Sequence, residues 1–299
     1  MNNIIKKINK KVGLVLVIFL LGIIIYPNKI FAATISTSSD SAVSSGDTSI
    51  INIFLDTEGE LINTIDGSVA LGDDHSGNFE VKDISLVNSV FSMWPRKPSL
   101  DEGHKISFVG GVPSGIKGNR LLLFKVIVKI NESGNFYITP SNITSYLNDG
   151  LATPRFITKD ISTISVGISN DTQIDRWKEI ISNDNIAPEP FTVNLVQDIN
   201  LYDGKKFLFF EAIDSQSGIS YYEVREGIYP AVRTGTSYVL IDQNKTDDIV
   251  VTAYDKAGNF QVATLKVKEP IHWVSIVAYV ILILCFYFLF KKIRKNKKK

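Results

Sequence analysis

Three short clusters hold the residues from which a metal site would be built. "GDDHSGN" supplies Asp73 and Asp74, "DSQSG" supplies Asp214, and "DKAGN" supplies Asp255 with Asn259. Carboxylates are the hard oxygen ligands that calcium takes, but none of the three has the alternating D-x-D-x-D-G spacing of a loop site. Asp, Asn and Gly also make turns, because Gly and Asn accept positive φ and Asp caps its own turn. Turn formation is the better reading of all three clusters. Asp73, Asp74, Asp214 and Asp255 are therefore weak calcium candidates, and no metal or other cofactor is expected.

Other chemistry finds less support. The chain has three histidines, His75, His104 and His272, and one cysteine, Cys285, without the clustered His and Cys ligands of a zinc site. There is no G-x-S-x-G, no Cys-His pair and no phosphate-binding Gly-rich loop leading into a helix. Glycoside hydrolysis needs two carboxylates facing each other across a cleft. With 31 acids in the chain, their presence alone discriminates nothing. The Gly-rich "GGVPSGIKG" links two predicted strands and contains Pro113, which suits a hairpin loop. An enzyme is not the expected reading.

The stretch "SVFSMWPRKPSL" groups Phe91, Met93 and Trp94 with two prolines and two cations. Pro95 and Pro98 lack amide donors, so the stretch belongs on a sheet edge or in a loop. Trp94 either folds inward with Phe91 to cover one end of a core, or stands outward beside Arg96 and Lys97 as a platform for sugars or partner side chains. Large aromatics are mostly buried, which favours the cover and leaves Met93 exposed. Phe91, Trp94 and Arg96 are the ligand-binding candidates if the platform is formed.

The elements that position these residues lie between two apolar runs. Lys6, Lys7, Lys10 and Lys11 precede the uncharged run Val12 to Tyr26 and then "PNKIFAAT", the layout of a signal peptide over residues 1–33. Ala32 and Ala33 are small, but Ile30 and Phe31 stand two positions earlier, so an uncleaved anchor is the alternative to cleavage. Trp273 to Phe290 is free of charge, and its 18 residues would span about 27 Å as a helix, close to a bilayer core. The tail 291–299, "KKIRKNKKK", has seven cations in nine residues, as the positive-inside rule asks of a cytoplasmic end. The expectation is a single-pass membrane protein with its bulk outside the cell.

Five of the 32 Lys and Arg fall in residues 1–33 and seven in the tail, which leaves 20 against all 31 acids, a net charge of −11 for the exported part. Nucleic acid is disfavoured as a partner, because phosphate binding needs a basic face. Cys285 lies within the apolar run, so the exported part has no disulfide and its folds rest on their cores.

Between residues 34 and 168 apolar residues alternate: Ile51, Ile53 and Leu55; Leu122, Phe124, Val126, Val128 and Ile130; Phe136 and Ile138; Ile164 and Val166. Period two with intervening turn clusters predicts an antiparallel sandwich or barrel. "SSGDTSIINIFLDTEGELINTIDGSVAL", "FEVKDISL", "HKISFVGGVPSGIKGNRLLLFKVIVKI", "GNFYITPSNITSYLNDG" and "ISTISV" follow one another as in a cohesin domain, and the region resembles that family. The resemblance implies a β-sandwich that binds a dockerin-like protein module or a glycan in polysaccharide-associated systems. There is no second copy, no dockerin-like calcium repeat and no hydrolase domain beside it.

Residues 169–190 are polar and end in a Pro-containing piece, which marks a linker. Within it "IDRWKEII" places Ile174, Trp177 and Ile181 at helical spacing, so a short helix docked on a neighbouring sandwich is expected. Residues 191–268 alternate again in "FTVNLV", "KFLFFEAID", "ISYYEV", "SYVLID" and "DIVVTAYDKAGNFQVATLKV". "DSQSGISYYEV" with "AYDKAGN" resembles the bacterial Ig-like or fibronectin type III-like repeats that serve as spacers on surface proteins.

The whole reads as all-β: a cohesin-like and then an Ig-like antiparallel β-sandwich, with an N-terminal signal helix and a C-terminal transmembrane helix. Its expected function is surface recognition or adhesion, and the alternative is an envelope scaffold that binds no ligand.

Overall fold

The computed structural model describes residues 33–39, 43–73, 78–101, 103–159, 161–168, 173–244 and 247–266, together with 280–284, 286–288 and 291. Among these residues the chain is mostly β and divides into two compact units, one of residues up to 185 plus 215–218, the other of residues 186–214 and from 219 onward. The signal segment, Asp74 and most of the run 273–290 lie outside the described residues. Residues 280–284 and 286–288 are helical, and among the described residues no helix is long and apolar enough to cross a membrane.

The first unit contains β1 (Thr34–Ser39), β2 (Val43–Ser44), β3 (Thr48–Asp56), β4 (Ile62–Asp73), β5 (Phe79–Ser85), β6 (Met93–Leu100), β7 (Lys105–Ile116), β8 (Leu121–Ile130), β9 (Gly134–Leu147), β10 (Pro154–Phe156), β11 (Thr158–Lys159) and β12 (Ser162–Gly167). One sheet runs β11-β1-β3-β8-β5. The other runs β2-β12-β9-β4-β7-β6, with β10 paired to the second half of β9. Their facing sides share one core that includes Ile51, Ile53, Phe108, Phe124, Phe136 and Ile138. The alternation that predicted strands is thus the alternation of a sheet with one face buried.

Strand β3 departs from simple alternation because Ile50 is buried as well as Ile51. The cause is α1 (Arg176–Asn183), which covers the outer side of the five-stranded sheet. Its Trp177 packs with Ile50 and Ile127 in a separate small cluster joined by Ile180 and Ile181. Asp175 caps the helix by accepting from Lys178 N at 3.0 Å. Just before it, the chain is pinned to β3 by Thr48 N donating to Ile174 O at 2.9 Å and by Ile174 N donating to Asp47 Oδ1 at 2.8 Å. The adjacent pair Ile50 and Ile51 in "SIINIFL" follows from this, since one faces the helix and the other the core.

The "GGVPSG" stretch is part of β7, where a hairpin loop was expected. Thr64 pairs with Gly111 but Ile62 pairs with Ile116, so the single residue Asn63 of β4 stands against residues 112–115 of β7 and the excess forms a broad bulge. Pro113 sits in that bulge, where its missing amide breaks no ladder bond. Gly111 is required by contact: a Cβ there would lie 2.0 Å from the Asn63 carbonyl oxygen.

The second unit contains β13 (Val193–Gln197), β14 (Lys206–Phe210), β15 (Ile219–Glu226), β16 (Val232–Thr234), β17 (Ser237–Val239), β18 (Ile249–Asp255) and β19 (Phe260–Leu265). The orders are β13-β14-β17 and β16-β15-β18-β19. Leu208 and Phe210 from one sheet meet Tyr222, Val224, Ile249 and Val251 from the other in a common core.

Candidate functional site

Strand β6 is the edge of the seven-stranded sheet, as its two prolines require, and it pairs with β7 through two register shifts. Phe91 is 5% exposed, and Trp94 packs beside it on the core. The Trp94 ring meets Phe91 edge-on at 5.2 Å between centroids and Phe124 at 6.4 Å. Both rings lie over Gly110, where a Cβ would come within 2.5 Å of Phe91 and 2.7 Å of Trp94. The indole is therefore a cover for one end of the core. Met93 and Arg96 are exposed, so of Phe91, Trp94 and Arg96 only the arginine stands mainly in solvent.

The acids separate in a similar way. Asp73 ends β4 in the first unit. Asp214 and Asp255 come together in the second, both buried, with a carboxylate oxygen of each within 4.8 Å of the other. Asp255 is held in its turn: Oδ1 accepts from Asn259 N and Oδ2 from Asn259 Nδ2, each at 2.8 Å, while Asp255 N donates to Asn259 O at 3.0 Å. Gly258 takes φ +96° inside this turn. The turn reading of "DKAGN" and the proximity of two hard oxygen ligands coexist in one structure. Sequence reasoning named both acids without foreseeing that they would meet.

A row of side chains crosses the outer face of the four-stranded sheet in the second unit. The Arg233 guanidinium lies 3.7 Å over Tyr221, Tyr221 stacks on Tyr254 at 4.8 Å and 18°, and Tyr254 meets Phe260 at 5.8 Å. Arg233 also approaches Glu223 at 3.8 Å. Tyr221 and Tyr254 present their ring faces to each other, so this is a cross-strand stabilising row, without a free flat platform.

The hairpin joining β9 to β10 was not singled out from the sequence. Leu151 is 84% and Phe156 82% exposed. The connection between them is tied down: Asp149 Oδ1 accepts from Leu151 N at 2.9 Å and Thr153 N at 3.4 Å, and Oδ2 accepts from the Thr153 hydroxyl. Leu147 N donates to Thr153 O at 3.0 Å, and Asn148 Nδ2 donates to Ser114 O at 2.8 Å. The Thr153 hydroxyl, followed by the Leu151 amide, holds the Asp149 carboxyl below its usual pKa. Ala152 adopts φ +52°, a left-handed conformation unfavourable for a residue with a Cβ. Hydrogen bonding thus fixes a strained loop that keeps a leucine in water. The signal in the sequence is "NDGLAT", an Asx-type turn that places its apolar residue at the tip.

No family model and no curated protein matches this sequence. Among solved structures the chain is similar to a cohesin module of a family 33 glycoside hydrolase from Clostridium perfringens, with 10% identity, 46% of this chain and 99% of that one covered, and a TM-score of 0.37. It is similar to a non-cellulosomal cohesin from the archaeon Archaeoglobus fulgidus, with 18% identity, coverage of 46% and 92%, and a TM-score of 0.36. The major pilin subunit of Bacillus cereus covers more of this chain, 79% against 67% of its own, at 7% identity and a TM-score of 0.28.

Proposed function

We propose that the protein is a non-catalytic recognition protein held at the outer side of a cell membrane, its first unit binding a protein module of the dockerin-like class and its second unit acting as a spacer. The observation that carries this reading is the β9–β10 hairpin. Large apolar side chains on a mobile loop would turn inward, since burying a Leu or Phe gains about 1.5–3 kcal/mol. Here Asp149 and Thr153 hold the loop so that Leu151 stays out, with Phe156 on the following strand exposed to the same degree. Pre-organised apolar anchors lose little entropy when a partner covers them.

The scaffold alternative, assembly through a free sheet edge, is disfavoured at β6. Pro95 and Pro98 offer no amide, and exposed Arg96 and Lys97 flank the gap between the two register shifts. A glycan bound near Arg96 is the second reading of the recognition function, and a glycan array run with wild type and Arg96→Ala separates it from protein binding.

The test is a photo-reactive amino acid at position 151 in intact cells. A single crosslinked protein partner, displaced by excess unlabelled protein and lost in a Leu151→Ser, Phe156→Ser double variant of unchanged unfolding temperature, is the expected result. Crosslinks only to further copies of this chain would replace recognition by scaffolding. External protease checks the placement: the two units are expected to be cut away and the tail 291–299 spared.

A further inference from the structure

On the outer side of the five-stranded sheet, α1 and the sheet border a cleft of ≈ 770 Å³ whose lining residues all belong to the first unit. This falls within the size range of small-ligand sites, about 300–1,000 Å³. Its apolar part is aliphatic: Ile50 from β3, Val87 after β5, Ile174 before α1 and Ile180 from α1. Its charged part is Lys125 and Arg176 against Glu179.

Arg176 is the unusual member. It is half-buried in the cleft wall, and it makes no hydrogen bond or ion pair with any described residue, Glu179 on its own helix included. A guanidinium kept in a partly dry wall, with no anion paired to it among the described residues, is suited to receive one, preferably a carboxylate that takes its fork of donors in a bidentate pair. Among the described residues no aromatic ring lines the cleft, so there is no flat face against which a sugar ring could lie. Branched aliphatic side chains instead suit another aliphatic side chain. Asn183 and Gln216 add amide groups of the kind that pair with a peptide backbone.

We propose that this cleft captures the carboxy-terminal end of an extended peptide, with its terminal carboxylate on Arg176 and its last, aliphatic side chain against Ile50, Val87 and Ile180. Capture of a chain terminus is a recurrent mode of peptide recognition. The site is separate from the Leu151–Phe156 hairpin, so either can fail without the other.

The experiment uses the full chain in detergent and fluorescently labelled five-residue peptides ending in valine, isoleucine or leucine, each made as the free acid and as the carboxy-terminal amide. The free acids are expected to bind saturably and the amides roughly tenfold or more weakly, since a hydrogen-bonded charge pair is lost. Arg176→Gln should weaken the acids by a similar factor and leave the amides unchanged, while Arg176→Lys, which keeps the charge without the fork, falls between. Both variants should unfold at the wild-type temperature, because Arg176 pairs with none of the described residues. Equal binding of acid and amide would overturn the proposal. So would the absence of saturable binding across peptides ending in each of the twenty residues, or preference for oligogalacturonate over every peptide, which would make this a sugar-acid site.

Discussion

Trp94 stands edge-on to Phe91, with ring centroids 5.2 Å apart and planes at 65°, over the one point of β7 where Gly110 leaves room for both. This contact closes an end of the larger core, and it fixes what substitution should do. Trp94→Ala is expected to cost about 3 to 5 kcal/mol, the range for removing a large aromatic from a core. Gly110→Ala should cost about 1 to 3 kcal/mol by overpacking, because the added methyl meets two rings. In the double variant the costs should fall short of additivity, since Trp94→Ala removes one of the two clashes. Chemical denaturation of the four proteins measures this. A Trp94→Ala cost below about 1 kcal/mol would mean that the indole is a surface platform.

How much of this was legible follows from where each constraint resides. Strands β3, β8 and β18 announce themselves because the face on the core imposes period two, broken in β3 and β8 where Ile50 and Ile127 meet α1 on the other face. Pro95 and Pro98 confine β6 to a sheet edge or a loop, and the helix at Trp177 follows from local spacing. The course of β7 through "GGVPSG" was not legible, because its glycines answer to Phe91, Trp94 and Asn63, which arrive from other parts of the chain. The same holds for Asp214 and Asp255: each turn is written locally, but their approach is set by the packing of the sheets of the second unit. The turn that carries Leu151 is written locally in "NDGLAT", but Phe156 looks like an ordinary strand residue until β9 is seen to change partners along its length.

The helix α1 makes a second prediction. Trp177 is 7% exposed and is the main contact between α1 and the outer side of the five-stranded sheet. An eight-residue helix is too short to persist alone in water. Trp177→Ala should therefore release it, with fast hydrogen exchange over residues 176–183 and early tryptic cleavage after Arg176 or Lys178. The sandwich core of Phe108, Phe124 and Phe136 should keep its slow exchange. Loss of protection in both regions together would show that α1 is integral to the core.

Glu226 organises one end of the second unit from a buried position. Its Oε2 accepts from Ile241 N at 2.8 Å and from the Tyr238 hydroxyl at 3.3 Å, and its Oε1 accepts from Asp242 N at 2.7 Å. Hydrogen bonds to a charged acceptor contribute more than neutral ones, so Glu226→Ala should destabilise by about 2 kcal/mol or more. Glu226→Gln should cost less, because one oxygen remains to accept from a backbone amide. Equal losses for the two variants would indicate that packing, and not the carboxylate, holds the turn.

The neighbouring phenol supplies the pH dependence. Desolvation, and after it the negative charge of Glu226, push the Tyr238 pKa up to about 12 from its ordinary 10.0. The folded state therefore holds a proton that the unfolded chain releases at lower pH. The corresponding stability is fully present below about pH 10 and is lost as pH rises through about 12. The difference in phenolate absorbance between wild type and Tyr238→Phe should show a single ionisation near the upper value while the protein stays folded. In Glu226→Gln the same ionisation should move toward 10, because a negative neighbour has been removed. A Tyr238 that titrates near 10 in the wild type would mean that its ring is hydrated and that Glu226 exerts little influence on it.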